Sequence, residues 1–342
     1  MKIVRNLFDG LKRTRILRPV KPVIETLEGI VLGSPETAGQ APHFRDHIEI
    51  KRYMSTVILA MIPTTVAAVV FFGWYVLAMI LTSYVVGGII EVLFALIRKK
   101  EIEEGFLVTG LIFPLILPPT APLWVVAVGI AFGVFFGKEV FGGTGRNIFN
   151  PALVGRIFVT IAFPEIMSAT WRLPFSDAIT AATPLAVYKS TQGIAPYWDL
   201  LLGQVAGSTG EVFRIGIIAG AALLMMTRVS SWRITFSYLA TVALFAFVGH
   251  LLGPGTFAPP LFQLLAGSVL FGAVFMATDP VTSPATRPGK FIFGAGCGII
   301  TVLIRTFSGF TEGVMFSIVI MNAFTPLIDN AVVNITYRPA KR

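Results

Sequence analysis

The chain has 342 residues, 55% of them hydrophobic and 13% charged, with a mean hydropathy of +0.79. Soluble chains carry about 25% charged residues, so too little charge is present to cover a soluble core, and lipid is the solvent this composition suits. The formal net charge of +9 does not signal nucleic acid, because the basic residues cluster at the ends of apolar runs rather than between aromatics.

In chain order, residues 1–53 form a basic arm with no cleavable signal pattern. Within it, residues 16–32 mix apolar and charged side chains, which fits either an interfacial amphipathic element or an arm packed on a partner subunit. Apolar runs then predict spans at about 54–73, 77–97, 105–119, 122–142 and 150–166, and again at about 213–228, 232–252, 260–277, 289–306 and 311–332. Prolines interrupt the third span (LIFPLILPPTAP) and end the eighth (FMATDPVTSP). Proline removes a backbone donor that lipid cannot replace, so such breaks belong beside protein or a water-filled cavity. They point to an internal site rather than a plain anchor.

Basic residues fix the expected orientation. The arm, Arg98, Lys99, Lys100, Arg146, Arg228, Arg233, Arg287, Lys290 and the tail all fall on one side, while the opposite loops hold only Arg172, Lys189, Arg214 and Arg305. By the positive-inside rule both termini are cytoplasmic and the 167–212 loop is outside. GKEVFGGTG (137–145) and LIRTFSGFTEG (303–313) precede the fifth and tenth spans, and LVTGLIF (107–113) resembles LLAGSVLF (264–271). Two related halves of five spans each must insert upside down relative to one another. The expected fold is thus an all-α polytopic membrane protein with about ten transmembrane helices in two inverted five-helix halves containing broken half-helices. The halves are 54–166 and 213–334, with a cytoplasmic tail at 335–342.

Chemistry-bearing residues are few. Cys297 lies alone in an apolar run, and His43, His47 and His250 have no metal-ligand spacing. Gly87, Gly88 and Glu91 share the second span; an intramembrane carboxylate is costly and marks function by default, and glycines let a flat ring approach the backbone. The other reading is helix packing with an interfacial glutamate. Asn147 and Asn150 open the fifth span, where amides suit either a ring edge or a helix cap before Pro151. Asp279 and Asp329 stand at span ends, placed either to bind Na⁺ or to pair with a nearby cation. Lys138 and Glu139 read as an interfacial ion pair.

The outer run SDAITAATPL (176–185) resembles the acceptor motif of the bacterial flavin transferase, D-x-x-[ST]-x-A-T, with Ala178 and Ala181 where glycine or serine is common. The resemblance makes Thr183 the site of a phosphoester-linked FMN and Asp177 and Thr180 recognition positions. GGIIEVLFALIRKKEIEEGFLVTGLIFPLILPPTAPLW (87–124), FGKEVFGGTGRNIFNPALVGR (136–156), FMATDPV (275–281) and TEGVMFSIVIMNAFTPLID (311–329) resemble the NqrB/RnfD family of redox-driven ion pumps. The likeness runs from about residue 41, and the arm APHFRDHIEIKRYM (41–54) favours the NqrB branch.

That resemblance implies a urea- and ammonium-channel-like fold, covalent FMN, non-covalent riboflavin beside Asn147 and Asn150, and a quinone pocket at Gly87, Gly88 and Glu91. It implies a bacterial inner-membrane subunit that passes electrons from FMN by way of riboflavin to quinone and couples this to Na⁺ transport. Its partners would be other membrane and NADH-oxidising subunits, including a second FMN-carrying one, and the flavin transferase. No nucleotide-binding GxGxxG lies on a strand-to-helix turn, so NADH oxidation belongs to a partner. An RnfD-type subunit of a ferredoxin:NAD⁺ complex and a passive channel are the competing readings. A channel has no use for the flavin-acceptor motif.

Overall fold

A computed structural model describes residues 50–99, 105–169, 171–176, 182–253 and 255–336. These residues are helical and contain no β-strand. The first helices are α1 (Ile50–Phe72), α2 (Tyr75–Arg98), α3 (Gly105–Leu115), α4 (Leu123–Gly137), α5 (Pro151–Ala162) and the short α6 (Pro164–Ala169). Two short helices, α7 (Pro184–Thr191) and α8 (Tyr197–Leu202), lie in the connecting loop. Then come α9 (Arg214–Met226), α10 (Trp232–Leu252), α11 (Pro260–Leu265), α12 (Val269–Phe271) running into a π-helical turn (Gly272–Met276), α13 (Arg287–Phe307) and α14 (Val314–Thr336).

Six of these helices are long and apolar enough to cross a membrane, and α3, α5 and α9 are shorter apolar helices. The chain is a multi-pass membrane protein. Large side chains such as Leu59, Leu81, Ile89, Phe236 and Leu252 project outward from the long helices, as they do where lipid replaces water.

The same neighbours recur in each half. Helix α2 contacts α3 and α4, and α4 contacts α5; likewise α10 contacts α11 and α13, and α13 contacts α14. Across the halves, α1 meets α9 and α5 meets α14. Small residues allow the closest crossings. A Cβ on Gly133 of α4 would lie 2.4 Å from the Pro151 carbonyl of α5, and one on Gly220 of α9 would lie 2.4 Å from the Ala60 carbonyl of α1. In lipid, where helices gain little from apolar burial alone, backbone contact of this kind drives association.

The proline breaks are satisfied from within the protein, as their sequence implied. Helix α3 stops at Leu115, and the carbonyls it frees are taken by the 203–213 loop: Gly210 N–H donates to Leu115 O at 2.6 Å and Thr209 N–H to Leu117 O at 3.0 Å. The break between α11 and α12 is filled by side chains. Arg214 Nε donates to Leu265 O at 2.9 Å, and Arg305 donates to Gln263 O at 2.7 Å and to Ala266 O at 3.0 Å. Glu312 accepts from Ser268 N–H at 2.8 Å and pairs with Arg305 at 2.9 Å. Arg214 and Arg305 are therefore not outer-loop charges, as their positions had suggested. They are 1% and 4% exposed and serve as donors for a broken backbone.

Candidate functional site: a polar cavity between the halves

A cavity opens between the two halves, near the turn that carries Arg146 and the Arg98–Glu139 pair. Tyr53 of α1, Thr109 of α3, Lys138 after α4, Asn147 and Asn150 before α5, and Asp279 after the π turn line it. Its volume is about 60 Å³, room for roughly five waters.

Lys138 is the pivot of this end. It follows the last turn of α4, its side chain is 3% exposed, and its ammonium contacts the Glu91 carboxylate of α2, itself 6% exposed. Glu139 pairs instead with Arg98 at the end of α2, at 2.6 Å, and Arg98 lies over the Phe94 ring. Lys138 and Glu139 thus belong to two separate pairs rather than to one with each other. Adjacent residues on a tight turn point apart, and each finds its own partner on α2.

Asp279 is partly buried. Its carboxylate accepts from Val281 N–H at 3.2 Å and from the Thr282 hydroxyl at 3.0 Å. Burial pushes the Asp279 carboxyl above its ordinary range, opposed by those two hydrogen bonds and by the charge of Lys138. Two further polar atoms in the cavity wall, Thr144 Oγ1 and Ser230 Oγ, are buried with no hydrogen-bond partner among the described residues.

Asn150 caps α5: its Oδ1 accepts from Ala152 N–H at 3.1 Å and Leu153 N–H at 3.4 Å, with Pro151 at the first helical position. Asn147 Nδ2 donates to Phe149 O at 3.1 Å. The capping reading is thus realised, while Asn150 Nδ2 and Asn147 Oδ1 remain available to a ligand. The amides, hydroxyls and Lys138 suit the polar edge of a flavin, but a cavity of this size is far too small for an isoalloxazine. The expected riboflavin finds donors here and no room, and no step is derived through it.

Gly87 and Gly88 do carry a flat ring against the α2 backbone, and it belongs to the protein. A Cβ on Gly87 would lie 3.0 Å from the Phe106 ring, and one on Gly88 would lie 3.3 Å from it. Phe106 in turn meets Tyr84 edge-to-face at 5.7 Å. Asp329, on α14, accepts from Ala285 N–H at 2.8 Å and from the N–H and hydroxyl of Thr286. It ties α14 to the start of α13 and is not among the residues lining the cavity.

Thr183 lies at the opposite end of the molecule. It is the N-cap of α7, partly buried, and its Oγ1 accepts from Ala186 N–H at 3.3 Å with Pro184 following. A phosphoryl group on that oxygen would meet the positive end of a helix, a setting that favours an anion. Beneath α7 lies a polar cavity of about 240 Å³ lined by Tyr188, Lys189, Gln192, Gln263, Arg305 and Thr311. Lys189 donates to Ser308 O at 2.7 Å and to Phe310 O, fastening α7 to the loop before α14. Asp177 and Thr180 lie outside the described residues.

Sequence reasoning missed the cavity's hydroxyls and the buried charge cluster of Arg156, Glu211, Arg214, Arg305 and Glu312. Arg156 within PALVGRIFVTIA and Arg305 within GIITVLIRTF are basic residues inside apolar runs, and that signal marks both.

The NQR2, RnfD, RnfE family matches residues 37–338 of the chain. Among similar proteins, the NqrB subunit of the Na(+)-translocating NADH-quinone reductase of Chromohalobacter salexigens is 37% identical over 90% of this chain and 87% of its own length. The subunit of the same name from Pseudomonas paraeruginosa is 44% identical over 78% of this chain and 70% of its own. That of Klebsiella pneumoniae strain 342 is 42% identical over 81% and 70%. The chain belongs to the NQR2, RnfD, RnfE family.

Proposed function

We propose that this protein is the membrane subunit of a Na⁺-translocating NADH:quinone reductase. It would carry electrons from the outer face toward quinone near the cytoplasmic face of the bacterial inner membrane. The observation that carries this reading is the division of polar groups between the two ends. A helix-capping threonine within a flavin-acceptor motif stands at one end. Glu91, Lys138, Asn147, Asn150 and Asp279 gather at the other, near Arg98 and Arg146. By the positive-inside rule the arginine-rich end is cytoplasmic, together with both termini, and the loop from 167 to 212 is outside.

FMN linked to Thr183 would supply one- and two-electron carriage at the outer face. The chain's own part there is to present the hydroxyl at a helix start among small residues, so that a transferase can close over it. Asp177 and Thr180 supply the rest of the motif. Ala186 N–H, which donates to Thr183 Oγ1, would lie beside a phosphate attached there.

At the inner end, Gly87 and Gly88 offer a backbone surface flat enough for a quinone ring, provided the Phe106 ring moves aside. Glu91 holds a negative charge beside that surface, neutralised in this arrangement by Lys138. Reduction of a quinone takes up negative charge in a low-dielectric setting, and a cation brought in at Glu91 and Asp279 offsets it. Asp329 is assigned the fastening of α14 to the start of α13.

Co-expression with a flavin transferase, followed by denaturing electrophoresis and in-gel fluorescence under ultraviolet light, tests the reading. Wild type is expected to fluoresce and Thr183→Val to be dark. A dark wild type beside an active transferase would remove the electron path and favour a channel.

A further inference from the structure

The electron path makes no use of the charge cluster where the two halves meet. Arg156 of α5, Glu211 in the loop before α9, Arg214 of α9 and Arg305 of α13 are all buried, and the partly buried Glu312, before α14, joins them. Four of the five have a task in the backbone. Arg214 and Arg305 donate to carbonyls at the break between α11 and α12. Glu211 accepts from Ser208 N–H at 3.0 Å, and Glu312 accepts from Ser268, Gly313 and Val314 N–H. Arg156 mends no break. Its Nε is buried with no hydrogen-bond partner among the described residues, and the charges that favour its own are those of Glu211 and Glu312. A guanidinium inside a membrane protein is costly and marks function by default.

The cluster stands between the two cavities. Arg305 lines the one beneath α7. Phe275 lines the one at Lys138, and its ring meets that of Phe271 at 5.0 Å. A Cβ on Gly210 would lie 3.2 Å from the Phe271 ring, and Glu211 is the next residue. Arg156 is on α5 beyond Asn150 of the same cavity wall, about 9 Å further along the helix axis. Three guanidinium groups here face two carboxylates, an excess of one positive charge. A proton taken up by either carboxylate would only enlarge that excess. We propose that Arg156 makes this cluster a positive barrier that stops cations from passing passively between the two cavities. An arginine in a narrow passage excludes cations in this way while leaving neutral molecules free. The inference concerns leak rather than electron transfer, so it goes beyond the redox reading and stands whether or not the chain carries flavin. Arg156 touches no reacting atom in it and binds no ion; its charge alone sets the barrier.

The test is the entry of radioactive sodium into liposomes that hold the whole purified complex, with no NADH or quinone present. A potassium diffusion potential, negative inside, drives the ion. Wild type is expected to leak no faster than liposomes without protein. Arg156→Met brings the cluster to zero net charge and should admit sodium about tenfold faster or more, as loss of a unit charge in a low-dielectric interior implies. Glu211→Gln disturbs the same packing but doubles the positive excess, so it should stay tight. An Arg156→Met complex as tight as wild type overturns the proposal. So does a Glu211→Gln complex that leaks as fast as Arg156→Met, because packing rather than charge would then form the seal.

Should Arg156→Met not assemble, Arg156→Gln removes the charge while keeping an amide for the two carboxylates. It should leak sodium in the same way, and a tight Arg156→Gln complex refutes the barrier. Arg156→Lys keeps the charge on a different shape and should stay tight; a leak there would assign the seal to the fit of the side chain. Combining Arg156→Gln with Glu211→Gln returns the excess to one positive charge and should close the leak, whereas a leak equal to that of Arg156→Gln alone counts against charge. Urea entry, followed by light scattering in the same liposomes, guards against a plain hole. It should change far less than sodium entry in Arg156→Gln, and an equal rise in both sinks the proposal.

Discussion

Gly133→Ala is the sharpest test of how the helices hold the inner cavity. A Cβ at this position would lie 2.4 Å from the Pro151 carbonyl oxygen, 3.0 Å from Gly155 N and 3.1 Å from Gly155 Cα. All three atoms are backbone, so no side chain can swing away to make space. Ordinary contact begins at 3.4 Å, so α5 must retreat by about 1 Å. Overpacking of this kind typically costs about 1–3 kcal/mol. The functional cost should exceed the stability cost. The first turn of α5 carries Pro151, and its cap is Asn150, both in the cavity wall, and a displacement of about 1 Å at a positioned site can lower a rate on the order of a hundredfold. The assay is thermal melting of the complex in detergent together with its rate of quinone reduction. Gly309→Ala is the control, because a Cβ there meets nothing within 4 Å. If Gly133→Ala melts and turns over as Gly309→Ala does, the backbone contact between α4 and α5 does not hold the site, and the reasoning fails.

Two further substitutions probe the broken helices and the cap. Arg305→Met strips Gln263 O and Ala266 O of their donor and leaves the Glu312 carboxylate without its guanidinium. It should destabilise by about 3–5 kcal/mol, seen as lost yield and early melting, and adding Glu312→Gln should recover part of the loss. A double variant no better than the single would show that the ion pair is not what Arg305 contributes. Asn150→Ala removes the α5 cap and should cost about 1 kcal/mol, whereas Asn150→Ser keeps a capping oxygen and should melt near wild type. Activity lost in both variants would assign Asn150 to the cavity as well as to the helix; activity lost only with stability would assign it to the cap alone.

Spans were legible because lipid imposes a strong, simple rule. The run before Arg98 and the run Trp232–Leu252 declare themselves by length and apolarity alone. The breaks were legible as breaks from Pro114, Pro118 and Pro280. What fills them was not. Gly210 reaches Leu115 from far along the chain, and Arg305 reaches Ala266 across 39 positions; neither contact leaves a trace in local pattern. The same holds at the cavity. Glu91 announced itself as a carboxylate in an apolar span, but its partner is 47 positions away. The adjacent Glu139 offered a nearer and wrong partner for Lys138. Thr183 was legible only as part of a motif, since a threonine before proline at a helix start is equally a plain cap, and the structure shows it capping.

Asp279 brings stability and function into opposition, and pH exposes the sign. Burial raises its carboxyl in the folded protein, against the opposing pull of Val281 N–H, the Thr282 hydroxyl and Lys138. A carboxyl raised above its unfolded value of about 3.9 binds its proton more tightly when folded. Its contribution to stability is therefore fully present below that value and is lost as pH rises through the folded one. At neutral pH the folded protein holds a partly buried carboxylate at a cost. Asp279→Asn should relieve that cost while its one amide oxygen still accepts from Val281 N–H, its amide NH2 standing where the second carboxylate oxygen took the Thr282 hydroxyl. The variant should then melt above wild type at pH 7 and lose the advantage as pH falls toward 4. Melting of the two complexes across pH 4–8 is the assay. An advantage that is absent at pH 7, or that grows on acidification, would mean that Lys138 already compensates Asp279 in the resting state and that the ammonium is shared between the two carboxylates rather than held by Glu91.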